Sequence, residues 1–414
     1  MIVQMNRGDE RSRTTAVVNC PHIMITTSPG VTMRLFILMF ILVYGSTHLY
    51  FFLKVKAAFS PSFLTSAMLS VFLLLMVIAP VFIRFLENHE FEVTARIVAY
   101  IGYLWMGFLF LCFSASIAID IYHVMIRGMG FVVKRDVLAF LPSQRTALLL
   151  SLAWGITTTA YGFIEALNVR TERVVIETAK VPASVGKITI AQISDVHLGL
   201  IIRSERLKRI IAEIDKASPD ILVSTGDLVD GQINRMVGIA ELLQNVHPRL
   251  GKFAVIGNHE VYAGLDQALD FIQRAGFRIL RNEIDTVGGI IQVAGVDDPV
   301  IERITHTGVP SEQALLTGHT ADGFTLLLKH RPVIDPESIG RFDLQLSGHV
   351  HKGQIFPFNF LTRLSFPIET GLTEYPQNSR IYVSRGTGTW GPPIRFLAPP
   401  EVTIIELRHT DSGG

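Results

Sequence analysis

The sequence predicts an α/β sandwich carried behind a four-helix transmembrane region, and three observations support that prediction. The chain of 414 residues is 49% hydrophobic and only 18% charged, and nearly all of the apolar excess lies before residue 170. From about residue 174 short apolar strands alternate with amphipathic helices, the pattern of βα units. The strand-like runs of this second part end in clusters of Asp, His, Asn and Gly, at the rim where α/β sheets deliver ligand-binding side chains. Four divisions follow: a polar tail over 1–32, four transmembrane helices over 33–168, a connector over 169–187 and the α/β domain over 188–414.

The tail carries Arg7, Arg11 and Arg13 and shows no apolar period. Met33-Arg34-Leu35 reads as a second natural beginning, so the tail is expected to be dispensable or untranslated. Four apolar runs follow, over about 35–53, 63–83, 97–119 and 147–166, each near the ~20 residues that cross a bilayer as a helix. The first is closed by Lys54 and Lys56, and Pro80 is expected to kink the second. The third ends at Asp120, with Tyr103 and Trp105 as interfacial candidates, and the fourth carries Trp154, Tyr161 and Glu165. Three further spans and no small-residue cleavage site argue against a signal peptide. Asp120 and Glu165 read as interfacial acids at span ends, and His48 as a packed or interfacial side chain. No run has an ionisable residue at its centre, which speaks against a proton or ion pathway. Basic residues are nearly balanced across the spans, so charge assigns no side.

A mean hydropathy of +0.38 points to a membrane protein. The formal net charge of +1 offers no field for nucleic acid. Two cysteines, Cys20 and Cys112, make no disulfide framework.

In the second part, strands are expected over 188–193, 221–223 and 253–256, each followed by a helix, over 204–216, about 234–245 and about 265–275. Later strands, over 290–294, 325–328, 344–346, 381–383 and 402–406, come with less helix and suggest a second sheet packed on the first.

Five polar clusters stand at the ends of these runs. They are Asp195-Val196-His197, Gly226-Asp227-Leu228-Val229-Asp230, Gly257-Asn258-His259-Glu260, His330-Arg331-Pro332 and Gly348-His349-Val350-His351. Singly each is a weak signal, a solvated acid or a surface turn. Together and in order they read as a two-metal site. Asp, His and Asn give a mixed O/N shell suited to Mn, Fe or Zn, and none of the clusters holds a Cys for a structural zinc site. A carboxylate is the side chain that readily bridges two cations, and Asp227 ends the central strand. Gly226, Gly257 and Gly348 are expected to let the backbone turn sharply into the site. His247, His306 and His319 read as solvated; Arg331, Arg385 and Arg395 read first as ordinary surface arginines, with binding of a phosphate-bearing substrate as the alternative.

The motifs Asp195-x-His197, Gly226-Asp227-x-x-Asp230, Gly257-Asn258-His259-Glu260, His330 and Gly348-His349-x-His351 resemble those of the calcineurin-like metallophosphoesterases, over about residues 185–410. Ser384-Arg385-Gly386-Thr387-Gly388 and Pro399-Pro400-Glu401 resemble the bacterial membrane-anchored branch. The resemblance implies a four-layer αββα sandwich with two metal ions. One would take Asp195, His197, Asp227 and His351; the second would take Asp227, Asn258, His330 and His349. His259 resembles the family's non-ligand histidine that protonates the leaving oxygen, with Asp230 holding its tautomer. Glu260 stands where many relatives have Asp and is not a ligand in the pattern.

The implied function is a membrane-anchored dinuclear phosphoesterase. It would hydrolyse a phosphomonoester, phosphodiester or pyrophosphate through a hydroxide held on the metals. The anchor favours a substrate at the membrane surface, and relatives such as the UDP-diacylglucosamine hydrolases accept lipid-linked substrates; the alternative is a soluble phosphoester. A reading from another class is a membrane receptor or transport-associated protein with a catalytically weak domain, against which all seven ligand positions are filled. The expected setting is a multi-pass protein of a bacterial cell membrane whose partners are the bilayer and a phosphoester.

Overall fold

The computed structural model describes residues 29–135, 137–231, 236, 238–305, 311–317 and 323–411. Arg7, Arg11 and Arg13 of the tail, Cys20, His306 and His319 lie outside them, as does part of the helix expected over 234–245.

Four long apolar helices come first: α1 (Pro29–Phe59), α2 (Phe63–Asn88), α3 (Glu92–Val133) and α4 (Gln144–Leu167). All four are long and apolar enough to cross a membrane. Hydroxyls start two of them. Ser62 Oγ accepts the Thr65 N–H ahead of α2, and Ser143 Oγ accepts the Thr146 N–H ahead of α4, satisfying donors that a helix leaves unpaired at its start. The helix α2 runs through Pro80 to Asn88. The apolar run stops at Asp120, but the helix that carries it, α3, continues to Val133. Asp120 does not end the helix because its charge is met from α1, by Lys54 Nζ at 2.5 Å and the Tyr50 hydroxyl at 2.7 Å. The helix stops instead at Lys134, whose φ of 51° is left-handed. His48 is packed, its ring nitrogens 2.8 Å from the Tyr44 carbonyl and 3.0 Å from Trp105 Nε1.

Only Asn168 and Val169 separate α4 from β1 (Arg170–Thr178). The stretch read as a connector therefore holds a nine-residue strand, and the last of the four apolar helices feeds straight into a sheet. Charged residues occupy both faces of β1 and only Ile176 is buried, so no alternation marks it as a strand.

The chain then runs β2 (Lys187–Ile193), α5 (Ser204–Ala217), β3 (Ile221–Ser224), α6 (Ile239–Gln244), β4 (Lys252–Ala254), α7 (Asn258–Arg274) and β5 (Arg278–Ile279). Next come β6 (Glu283–Val287), β7 (Ile291–Val296), α8 (Pro299–Thr305), α9 (Glu312–Thr317), β8 (Phe324–Lys329) and β9 (Leu344–Ser347). The last elements are α10 (Asn359–Ser365), β10 (Gly371–Glu374), β11 (Arg380–Val383) and β12 (Glu401–His409). Among the described residues these strands form two six-stranded sheets, ordered β1-β12-β2-β3-β4-β5 and β10-β11-β9-β8-β7-β6. In the first, β2 to β5 are parallel; in the second, β7, β8, β9 and β11 are parallel.

The two sheets face each other across a dry core that includes Ile190, Val223, Phe253, Val293, Leu326 and Leu346. Outside the first sheet, Leu207 and Ile210 of α5, Leu243 of α6 and Phe271 of α7 close a second core. Outside the second, Leu316 of α9 packs with Ala294 and Leu327. Helix, sheet, sheet, helix is the four-layer αββα sandwich, which buries both faces of each parallel sheet.

Candidate metal centre

Parallel strands of both sheets end at one rim, and the five polar clusters meet there. Asp195 and His197 follow β2, Asp227 and Asp230 follow β3, and Asn258 and His259 open α7 after β4. From the second sheet, His330 follows β8, and His349 and His351 follow β9. The sequence-predicted site residues, far apart in the chain, thus come together, as the carboxyl ends of α/β strands do around ligands.

Three carboxylate or imidazole atoms converge in each of two neighbouring sets, Asp195 with His197 and His351, and Asp227 with His330 and His349. In the first, His197 Nε2 lies 3.1 Å from His351 Nε2, which is 3.2 Å from Asp195 Oδ1. In the second, His330 Nε2 lies 3.1 Å from Asp227 Oδ2, 3.1 Å from His349 Nδ1 and 3.2 Å from Asn258 Oδ1. Asp227 Oδ2 is also 4.0 Å from His197 Nε2, so one carboxylate oxygen faces both sets. Oxygen and nitrogen ligands about 2.0–2.2 Å from a common cation stand roughly 3.0–3.4 Å from one another in octahedral or tetrahedral shells. The residues therefore fit a pair of cations. His330 Nδ1 donates to the Thr225 carbonyl at 2.9 Å, which leaves Nε2 as a lone pair for the centre. The buried Nδ1 of His197 finds no partner among the described residues.

The backbone is bent for this purpose. Asp195, His197, Asp227, His349 and His351 all have φ between 48° and 71°, a region costing a non-glycine residue roughly 1–2 kcal/mol. Such strain gathers at functional sites. Of the three flanking glycines only Gly226 takes a left-handed φ, +91°. A Cβ at Gly257 would stand 2.7 Å from the Asp227 nitrogen, and one at Gly348 would strike Ser194 Oγ and Asp195 Oδ2. Glycine is needed at 257 and 348 for close approach, rather than for the sharp turn expected.

Charge explains the protonation pattern. Burial and the neighbouring His259 push His197 down to about 3, and burial with His330 and Arg331 does the same to His349. Burial also lowers His351. Asp195 and Asp227 are held below the usual carboxylate range despite burial, Asp195 by His351 and Asp227 by His330 and His259. Burial would lower His330, but with no cation present the Asp227 charge outweighs it and carries the ring up to about 10; a cation bound at Nε2 would displace that proton. The same competition, with Asp227 and Asp230 against burial, lifts His259 to about 9. His259 Nδ1 donates to Asp230 Oδ1 at 2.9 Å, and its backbone N–H donates to Asp227 Oδ1 at 2.8 Å. Tyr262 and Trp390, both about half-exposed, flank its ring edge-on at 5.6 Å.

Several site residues were not legible in sequence. Glu260, buried, accepts the backbone N–H groups of Gly257, Asp227, Leu228 and Val229 at 2.8, 2.9, 2.6 and 3.2 Å. It fixes the loop that presents Asp227. Burial and the Asp227 charge push it up to about 7. Ser194 Oγ donates to Asp195 Oδ2 at 2.5 Å, and the His349 N–H donates to both Asp195 oxygens at 3.0 Å.

The three arginines read as ordinary surface side chains are all engaged. Arg395 is 0% exposed, donating to the carbonyls of Gly388, Arg385, His351 and Ala398 and standing 3.1 Å from His351 Nδ1. Arg331 forks onto buried Asp298 at 2.6 and 3.1 Å. Arg385 pairs with Glu401 at 2.5 Å and Glu172 at 2.8 Å. Position next to His330 was the one available signal for Arg331; Arg395 had none. His247 is exposed, as expected of a solvated side chain.

A family model described as calcineurin-like phosphoesterase matches residues 188–353. An uncharacterized metallophosphoesterase of Aquifex aeolicus is 41% identical over 250 residues, covering 60% of this chain and 95% of that protein. One of Helicobacter pylori is 31% identical over 304 residues, covering 72% of this chain and 80% of its own length. A Danio rerio transmembrane protein with metallophosphoesterase domain is 31% identical over 261 residues, covering 60% of each chain.

Proposed function

This chain belongs to the calcineurin-like phosphoesterase family, and from that premise we propose a multi-pass membrane enzyme with a dinuclear metal centre in a catalytic domain over 188–414. One observation carries the dinuclear reading: Asp227 Oδ2 faces His330 Nε2 at 3.1 Å and His197 Nε2 at 4.0 Å, as a bridging carboxylate must. Asp195, His197, Asp227 and His351 would hold one cation. Asp227, Asn258, His330 and His349 would hold the other, and the O/N donors suit Mn, Fe or Zn. When bound, the pair supplies Lewis-acid activation of water and neutralises phosphate charge.

The chain's own residues supply the rest. Asp230 accepts the His259 Nδ1–H, so Nε2 is the atom that passes a proton to the leaving oxygen of the phosphomonoester, phosphodiester or pyrophosphate. With no cation present Asp227 and Asp230 raise His259 to about 9, and Asp230 continues to favour the protonated ring when Asp227 is engaged by cations. Tyr262 and Trp390 restrict water around it and offer apolar walls to the leaving group.

The substrate of this reading is presented at the membrane. Four apolar helices are more anchor than a soluble substrate requires, and the two-residue link from α4 to β1 holds the domain against them; tethering raises the local concentration of a lipid-linked phosphate. The test is hydrolysis by the full chain in vesicles with Mn²⁺, comparing phosphatidate in the same vesicles with soluble p-nitrophenyl phosphate and bis(p-nitrophenyl) phosphate. Faster turnover of the lipid than of the soluble esters supports the reading. Turnover of the soluble esters alone retains the enzyme and removes the membrane substrate.

A further inference from the structure

Two loops of the catalytic domain touch the membrane helices where a bilayer would surround them. One follows His351 and contains α10; the other runs from Trp390 to Leu397. Phe358 of the first lies against Phe110 of α3, ring centres 6.1 Å apart. Phe396 of the second lies against Trp154 and Tyr161 of α4 at 6.0 and 6.2 Å. Ile355 and Ile394 are buried with Leu111 of α3. Glycines permit this approach: a Cβ at Gly107 would stand 3.3 Å from Pro392, and one at Gly162 would stand 3.1 Å from the Arg395 carbonyl.

The depth of these contacts follows from charge. In α3 no charged residue occurs over 97–119, and in α4 none over 146–164. Phe110 lies ten positions before Asp120, about 15 Å along the helix, in a span facing a hydrocarbon layer ~30 Å thick. Trp154 stands near the middle of the charge-free run of α4. The loops therefore reach the level of the apolar stretch and do not stop above it.

What they show to the outside agrees. Phe358, Phe360, Leu361, Trp390 and Leu397 are exposed, and Leu364 is 77% exposed. An apolar surface of this kind is left uncovered in a protein only when something else covers it. Leu149, Leu150 and Ile156 of the α4 span are exposed as well. Both loops also end on the metal centre. The Phe366 ring stands edge-on to His349 at 5.1 Å, Trp390 edge-on to His259 at 5.6 Å, and Arg395 touches His351.

We propose that the two loops, over 354–366 and 390–397, form a wedge seated in the lipid of the bilayer beside α3 and α4. The metal centre then opens onto acyl chains, and a lipid phosphoester reaches His259 and His349 along the wedge without leaving the membrane. The inference rests on the multi-pass reading above, but not on catalysis.

The test is fluorescence of the full chain in phosphatidylcholine–phosphatidylglycerol vesicles. An environment-sensitive NBD group is attached at Leu364→Cys or, separately, Phe360→Cys, in a Cys20→Ser, Cys112→Ala background. Leu75→Cys, exposed in the α2 span, reports lipid, and Lys208→Cys, exposed on α5, reports water. Expected are blue-shifted emission at 364 and 360 and at least a twofold quenching by doxyl-labelled lipid, as at 75. Emission at 364 and 360 matching position 208 overturns the wedge while the spans stand. Blue-shifted emission without lipid quenching means a protein occupant, such as a second copy of the chain, and also overturns it. Absence of quenching at 75 removes the multi-pass premise and the wedge together, leaving the phosphoesterase reading untouched.

Discussion

The backbone N–H of Arg395 donates to the carbonyl of Gly162, 2.8 Å away, in helix α4. The guanidinium of the same residue reaches the His351 carbonyl at 3.2 Å and His351 Nδ1 at 3.1 Å. One residue thus joins the apolar helix α4 to a candidate metal ligand, and the two parts of the chain pack against each other.

Replacing Arg395 by Met leaves the carbonyls of Gly388, Arg385 and Ala398 without this donor, while the His351 carbonyl keeps the Gln354 N–H. Each buried unpaired group costs about 1–3 kcal/mol, so the loss of stability is expected to reach at least about 3 kcal/mol. Thermal unfolding of the full chain in detergent measures it. Arg395→Lys keeps the charge but not the fork and is expected to fall between the two.

Asp227→Asn removes the carboxylate that faces both ligand sets. Metal analysis is expected to show both cations lost or sharply reduced, with activity falling in step. Two cations retained at wild-type occupancy would remove Asp227 from the bridging position.

For His259 the sign of the pH effect follows from its shift. The protonated ring is the acid, so its contribution is present below the pKa and fades as pH rises through it. The ring is raised to about 9, and cations at Asp227 oppose that rise, so the alkaline limb of the rate is expected at or below about 9. His259→Ala is expected to keep its metals and lose about 10²–10⁴-fold in rate. The loss is expected to be larger on an alkyl phosphoester than on a p-nitrophenyl ester, whose leaving group needs no proton. An unchanged alkaline limb in the variant removes the assigned role.

Glu260→Ala withdraws one carboxylate from four backbone N–H groups and is expected to cost roughly 2–4 kcal/mol, partly offset by water entering the gap. Glu260→Asp is one methylene too short to reach all four donors from this backbone. Its expected signature is weaker metal retention with smaller loss of stability, read by titration with Mn²⁺ and by thermal unfolding.

Chelation provides a separate test. Removing metal is expected to abolish hydrolysis and lower the unfolding temperature, and Mn²⁺ should restore both. A ligand at 100 times its Kd stabilises the folded state by about 2.7 kcal/mol when it binds that state alone. An unfolding temperature indifferent to both chelator and Mn²⁺ speaks against a resident metal.

Much of the site is readable in the sequence because each piece is local. A buried strand such as Ile221–Ser224 followed by Gly226-Asp227 carries its own signal: apolar period, then a turn residue, then a ligand type. The four long apolar helices are likewise legible in composition, since length and apolarity are properties of a single segment. The strand β1 escaped because charges on both faces hide its period. The continuation of the helix through Asp120 to Val133 escaped because Lys54, which pairs with the acid, and Tyr50, which donates to it, belong to another helix.

The tertiary structure alone decided which polar residues serve which others. Arg395 and His351 are 44 positions apart, and nothing near either announces the other; the packing of the 390–397 loop into α4 brings them together. Glu260 looked like a neutral variant of a motif residue until the loop after β3 folded its N–H groups onto it. The exposed faces of α10 and Trp390 likewise take their meaning from the apolar helices beside them. Residue type and local period are properties of a segment, and the chain states them directly. The partner of a buried charge depends on how separate segments pack, and the chain specifies that only through the fold as a whole.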